Sequence, residues 1–378
     1  MAGQIIPKGK GKWLVRVFRG RDSQTGKKKY FNKLVNGNKK AAQTYLNKTL
    51  REIDQGTFVD PTPVLLGEYL DKWLEAAAKP RLAPNTFEHY QDVLSRYVRP
   101  ALVNHKLANI RALDVQTLYS DLQKRGLSAR TVRYTHAVLN SAFKQAVKWG
   151  LIAQNPASLV ELPKKERKEM QYLSQEYAAK FLEAAASDRF GSYFHLAIVT
   201  GMRPSECLGL QWKDINFGTS MVTIQRALLW KRDGIWYFGE PKTSKSRRSI
   251  PLTTSLVLAL KEHKRKQAEE RLKAGPKYQN LDLVFANVEG GPLMPHNLIV
   301  RHFKPILKKA ELSESLRLYD LRHSCATLLL EAGENPKVVS ERLGHSSVVM
   351  TLDTYTHVLP SMQKSASEKL KKMLIVNS

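Results

Sequence analysis

Arg203 stands immediately before Pro204 and three positions before Glu206, in the run Thr200-Gly201-Met202-Arg203-Pro204-Ser205-Glu206. A proline at a first helical position starts a helix there and leaves the Arg203 side chain at an end that favours anions. Arg322 follows roughly 120 positions later in Tyr319-Asp320-Leu321-Arg322-His323, then His345 in Leu343-Gly344-His345, then Tyr355. A fold that uses these residues together must gather helix ends from about half of the chain. That requirement points to a large, mainly helical domain built round one site.

Displacement at a phosphodiester needs a nucleophile, a proton donor for the leaving oxygen, and cations for the charge that develops. Arg203 and Arg322 can clamp the non-bridging oxygens with forked hydrogen bonds, which lysine cannot reproduce. His345, at a turn between helices, can donate to the same phosphate. Lys242, in the hairpin run Pro241-Lys242-Thr243, can protonate the leaving 5′ oxygen, with Lys245 as a rival. Tyr355 can attack and hold a 3′ phosphotyrosine, conserving the bond for rejoining. This chemistry requires no metal or nucleotide cofactor.

Each piece alone has a plainer reading. Glu206 could simply pair with Arg203 across one helical turn. Lys245, Arg247 and Arg248 could be only a DNA-facing basic strand. His323, Cys325, His345 and His357 match no zinc spacing. The run Lys8-Gly9-Lys10-Gly11-Lys12 lacks Walker spacing and reads as a basic arm. Tyr193 and His195, on the helix before Arg203, read as core.

Charge identifies the phosphodiester. The chain has 61 Lys and Arg against 34 Asp and Glu, a net charge of +27, which favours nucleic acid as partner. A membrane is the competing polyanion, but no apolar run approaches the ~18 residues of a spanning helix, and no N-terminal signal pattern is present. Cys207 and Cys325, the two cysteines, lie in apolar helical patterns and read as reduced core residues of a cytoplasmic protein.

The sequence predicts a mainly α protein with small β-sheets (α+β). Residues 1–60, with 14 Lys and Arg against 4 Asp and Glu, form a small basic domain. Trp13 to Arg19 alternates as a strand, Asp22 to Gly26 turns, Lys28 to Phe31 returns, and a helix runs from Lys39 to Asp54, stopped at Gly56. Lys12, Arg16, Arg19, Lys28 and Lys29 are its candidate DNA contacts. Residues 61–160 read as all helix, including Leu66–Leu74, Thr86–Tyr97, Asp114–Lys124 and a long helix capped by Ser128, with Arg130 in its first turn as a DNA contact. Residues 161–171 have linker composition. Residues 172–378 form a mainly helical domain with three antiparallel strands at Met221–Leu228, Ile235–Phe238 and Arg248–Leu252. A long helix spans Thr253–Lys273, and a last amphipathic helix covers Ser365–Val376.

With these runs in place, the chain resembles the tyrosine recombinases, in particular three-domain phage and transposon integrases. The resemblance runs through residues 170–378 by way of Leu210-Gln211-Trp212, Pro241-Lys242-Thr243-Ser244, Asp320-Leu321-Arg322-His323, Leu343-Gly344-His345 and Thr354-Tyr355-Thr356. Residues 61–160 look like the helical (SAM-like) core-binding domain and residues 1–60 like the arm-binding domain. The resemblance implies Arg203 and Arg322 as the arginine pair, Lys242 as general acid, His345 as the second histidine and Tyr355 as nucleophile. It places His323 and His357 outside the catalytic set. One position departs: the family's first histidine falls on Tyr319, and a phenol, with a reference pKa of ~10 against ~6.5 for imidazole, is a poor proton shuttle at neutral pH.

The resemblance further implies double-stranded DNA bound at core and arm sites within a C-shaped clamp. It implies a homo-tetramer on DNA, and an excisionase and a host DNA-bending protein as possible partners. The expected function is integration and excision of a phage or transposon in a bacterial cytoplasm, at the nucleoid. The alternatives are a resolvase or invertase of the same family, or a catalytically impaired DNA-binding regulator.

Overall fold

The computed structural model describes residues 3–355 except 22–24, 56–57, 59–62, 166–169 and 241–246, together with residues 367, 370, 371, 373 and 374. The chain divides into two compact units, Met1–Arg167 and Lys168–Ser378. It is mainly helical with small antiparallel sheets, as the sequence predicts. The expected turn at 22–26, the stop at Gly56, and the last helix at 365–376 lie wholly or mostly outside the described residues.

The first unit opens with an antiparallel sheet in the order β1 (Gly3–Pro7), β2 (Lys12–Arg21), β3 (Lys28–Asn36), covered on one face by α1 (Lys39–Asp54). The side chains alternate, so Val15, Val17 and Phe31 turn inward onto Ala42 and Leu46 of α1. Asn38 caps that helix by accepting the Ala41 N–H at 2.9 Å. The run Lys8–Lys12, expected as an arm, is instead the turn joining β1 to β2, closed by Lys8 N–H donating to the Lys12 carbonyl. Ile5 and Ile6 explain the difference: they pair opposite Val15 and Leu14 and give the sheet a third strand.

Helices α2 (Leu66–Trp73), α3 (Pro84–Val93), α4 (Arg99–Leu102), α5 (Ala112–Lys124) and α6 (Ala129–Lys148) form the rest of this unit. They enclose a separate core that includes Tyr69, Trp73, Leu94, Tyr119, Leu139 and Phe143. Wide five-residue-spaced turns, Leu74–Ala78 and Leu94–Val98, extend α2 and α3. Ser128 caps α6, accepting the Thr131 N–H at 3.3 Å. The Tyr69 hydroxyl donates to the Ala142 carbonyl at 2.6 Å and ties α2 to α6 across 73 positions.

The second unit contains α7 (Gln175–Ala185), α8 (Gly191–Thr200) and α9 (Pro204–Leu208). Strands β4 (Ile215–Asn216), β5 (Met221–Ile224), β6 (Ala227–Trp230), β7 (Trp236–Gly239) and β8 (Arg248–Pro251) follow. Then come α10 (Thr254–Ala274), α11 (Pro295–Leu298), α12 (Lys304–Lys309), α13 (Asp320–Glu331), α14 (Pro336–Leu343) and α15 (Val348–Thr354). The expected three-stranded insert is two sheets: β4-β5-β8 and, separately, the hairpin β6-β7. The strand expected across Met221–Leu228 breaks because the Arg226 guanidinium turns in to pair with the buried Asp214 carboxylate. Tyr193, Phe194, Phe285 and Phe303 lie in the main core; Tyr193 is fully buried and His195 half-buried. Cys207 and Cys325 are both buried and unpaired with each other.

Tyr69→Phe removes one buried hydrogen bond while leaving the ring in place. Its expected cost to the first unit is about 1 kcal/mol, since a typical intramolecular hydrogen bond contributes that much net. Denaturant unfolding followed by tryptophan fluorescence measures it.

Candidate active site

Helix α8 ends at Gly201, whose φ of +64° is a left-handed conformation that side chains avoid. A Cβ there would also stand 2.5 Å from Leu343 Cδ2 and 3.1 Å from Cys325 Sγ. The chain therefore reverses tightly and delivers Arg203 as the residue that precedes α9. Its backbone N–H donates to Glu206 Oε2 at 2.9 Å and its guanidinium to Glu206 Oε1 at 2.6 Å. Arg203 Nη2 also reaches the carbonyl of Gly344 at 3.4 Å. Gly344 ends α14 with φ of +68°, which turns that carbonyl toward Arg203 and sets His345 beside it.

Glu206 has a second cation. Arg248, at the start of β8, donates to Glu206 Oε2 at 3.0 Å from an almost fully buried position. The expectation of a DNA-facing strand residue is thus corrected for Arg248: its head lies inside, on a carboxylate that is only 2% exposed. Burial on its own would raise the Glu206 pKa, but Arg248 and Arg203 outweigh it and hold the carboxyl below its ordinary value. The plain reading of a local Arg203–Glu206 pair is therefore half of a three-residue arrangement.

Arg322 lies on α13, 1% exposed, and donates from Nη1 to the Gly201 carbonyl at 2.7 Å. Its Nη2 is buried with no hydrogen-bond partner among the described residues. Burial and then the nearby Arg203 lower its pKa, so the guanidinium is held in a position that an anion would relieve. Asp320 fixes the start of this helix: fully buried, it accepts from the Arg317 N–H and guanidinium, both at 2.7 Å.

His345 Nδ1 lies 2.7 Å from Thr351 Oγ1. Burial first, then Arg322, Arg203 and Arg248, push its pKa down to about 4. It is neutral at pH 7 and has Nε2 to offer an oxygen of a phosphate. Tyr355 follows α15, 2% exposed, packed among Ala326, Leu330, Val339 and Leu343. Burial raises its pKa, against a downward pull from the charge of Arg322. Its hydroxyl lies 3.0 Å from His323 Nδ1. His323, expected outside the catalytic set, is a contact of the candidate nucleophile. Nothing in the helical pattern showed this, because the two residues are 32 positions apart.

Tyr319 is 40% exposed at the start of α13, with its ring 5.2 Å from that of His323. Arg203, Arg322, His345, Tyr319 and Tyr355 thus form one cluster, linked by direct contacts and by mutual charge effects. Lys242 and Lys245 lie outside the described residues. Arg247 is exposed and pairs with Glu240 at 3.6 Å. Lys12, Arg19, Lys28, Lys29 and Arg130 are exposed on the first unit. Arg16 there donates to Asn32 at 3.0 Å and lies over the ring of Tyr30. Among the described residues no acidic, histidine or cysteine group could hold a metal.

Two predictions follow from the buried charges. Glu206→Gln leaves Arg203 and Arg248 facing each other without a carboxylate and should destabilise the second unit by about 3–5 kcal/mol, read by denaturant unfolding. His345, with its pKa depressed in the folded state, contributes stability that is full above its unfolded value and is lost as pH falls toward about 4. The difference in melting temperature between wild type and His345→Asn should therefore shrink as pH drops from neutrality through that window.

Residues 166–362 match the phage integrase family, and residues 65–123 match the N-terminal SAM-like domain of phage integrases. A XerC-like tyrosine recombinase of Caldanaerobacter subterraneus subsp. tengcongensis is 32% identical, covering 98% of each chain. The ICEBs1 integrase of Bacillus subtilis is 28% identical over 82% of this chain and 83% of its own. The fold is similar to that of the Tn1549 transposon integrase in complex with transposon right end DNA. That likeness has a TM-score of 0.67 at 21% identity, and covers 80% of this chain and 98% of the other. The chain belongs to the phage integrase family and is a tyrosine-type site-specific recombinase.

Proposed function

We propose that this recombinase cuts and rejoins duplex DNA through Tyr355, integrating and excising the mobile element that carries it. The observation that carries the reading is the buried guanidinium of Arg322, with Nη2 unpaired among the described residues, beside Arg203, His345 and Tyr355. A scissile phosphate supplies the missing acceptor. Arg203 and Arg322 bind its non-bridging oxygens and neutralise the charge of the phosphorane-like transition state. His345 donates from its neutral ring. Tyr355 forms the 3′ phosphotyrosine, and Lys242 protonates the leaving 5′ oxygen. Tyr319 occupies the edge of the site and acts at most as a hydrogen-bond donor to phosphate.

Residues 1–60 serve as the arm-type DNA-binding domain, through Lys12, Arg16, Arg19, Lys28 and Lys29. Residues 61–160 serve as the core-binding domain, with Arg130 on phosphate, and residues 161–171 link it to the catalytic domain at 172–378. Arg247 and Lys245 serve as further DNA contacts. Separate arm and core sites let one protomer bridge distant DNA segments at high effective concentration. Four protomers on two duplexes complete the assembly, with an excisionase and a host bending protein as candidate accessory factors. Among the described residues no helix is long and apolar enough to cross a membrane, and the reading places the protein with the bacterial nucleoid.

The test is a nicked suicide duplex built from the ends of the element. Wild type should form an adduct that survives denaturation, and Tyr355→Phe should form none. Arg322→Lys should bind DNA within a few-fold of wild type yet cleave about 10²–10³-fold more slowly, the cost of losing one preorganised transition-state donor. Tyr319→His should retain or raise cleavage. Binding without an adduct in wild type would favour a regulator with an inactive site.

A further inference from the structure

His323 Nδ1 lies 3.0 Å from the Tyr355 hydroxyl. Its ring stands edge-on to two phenols, with centroids 5.2 Å from Tyr319 at 64° and 5.9 Å from Tyr355 at 61°. It is one position after Arg322 on α13, so the helix that aims a phosphate-binding guanidinium also aims this imidazole. Tyr355 is buried and must lose a proton when it attacks. Tyr319 cannot take that proton at neutral pH. His345 is poorly suited, since Nδ1 is engaged at Thr351 and burial with three arginines depresses its proton affinity.

We propose that His323 is the general base that accepts the Tyr355 phenol proton, filling the role that Tyr319 cannot fill. This rests on the reading of Tyr355 as nucleophile. In the forward step the tautomer protonated at Nε2 receives the phenol proton at Nδ1. The oxygen lone pair forms the Tyr355 O–P bond, the P–O5′ bond breaks with its electrons on O5′, and O5′ takes a proton from the general acid. In rejoining, the 5′ hydroxyl attacks and gives its proton back to the general acid, the O5′–P bond forms as the Tyr355 O–P bond breaks, and His323 returns its proton to the phenolate. No oxidant, metal or co-reactant enters. Tyr319 at the start of α13, His345 from the turn after α14, and Tyr355 after α15 are among the titratable groups near the imidazole.

The experiment uses the full chain and the nicked suicide duplex, and follows the rate of covalent adduct formation. His323→Ala should slow adduct formation by about 10²-fold, the usual contribution of a general base. Added imidazole should recover about tenfold of that loss, because a small base can enter the space left by the side chain. Tyr319→His placed in the His323→Ala background should recover activity likewise. His323→Gln keeps size and hydrogen bonding without basicity, so it should stay slow and insensitive to imidazole. It also stands in should the alanine variant fail to fold, since a Gln variant with the wild-type rate would then overturn the proposal. A His323→Ala rate equal to wild type would overturn it, as would a loss relieved by neither imidazole nor Tyr319→His in a folded, DNA-binding variant. Wild type that forms no adduct at all would instead overturn the reading of Tyr355 as nucleophile, and the proposal with it.

Discussion

Glu206 places one carboxylate between the guanidiniums of Arg203 and Arg248, at 2.6 and 3.0 Å, in a position nearly closed to water. A buried carboxylate without partners would cost several kcal/mol, and two adjacent guanidiniums, one buried and one half-buried, would repel. Together they satisfy one another and fix three chain segments: the start of α9, the start of β8 and, through the Arg203 contact to Gly344, the end of α14. Arg322 reaches the same centre from α13 by binding the Gly201 carbonyl. The catalytic unit is organised round this knot of charge, and its apolar core is arranged so that four helix or strand ends meet there.

The knot leaves an excess of positive charge. Three guanidiniums face one carboxylate, burial and then their charge keep His345 neutral, and one nitrogen of Arg322 has no acceptor among the described residues. Such a site is preorganised for an anion with several oxygens. Its donors are already desolvated and positioned, so little reorganisation is needed when a phosphate arrives. The candidate nucleophile is kept differently: Tyr355 is packed among aliphatic side chains, its phenol held protonated by burial and held in place by His323. The proposed phosphate cradle and the contact to the candidate nucleophile therefore share α13, through Arg322 and His323.

Much of this was legible in the sequence where the signal is local. Pro204 marks a helix start, Gly344 before His345 a turn between helices, and Ser128 a cap; each of these depends on neighbouring residues alone. The role of Arg248 was not legible, because a charged residue in an alternating strand reads as solvent-facing unless its partner is known, and Glu206 is 42 positions away. The same applies to His323 and Tyr355. The division of the insert into two sheets turned on Arg226 finding a buried partner in Asp214, which no strand propensity encodes. The first strand was missed for a simpler reason: two isoleucines beside a Lys-Gly run carry too short an alternation to stand out against the basic composition.

The covalent link is proposed at a buried tyrosine, Tyr355, while an exposed one, Tyr319, stands near Arg322. Mass spectrometry of the digested protein–DNA adduct tests this most directly. The residual nucleotide should be carried by the peptide containing Tyr355. Recovery of the nucleotide on the peptide containing Tyr319 would contradict it.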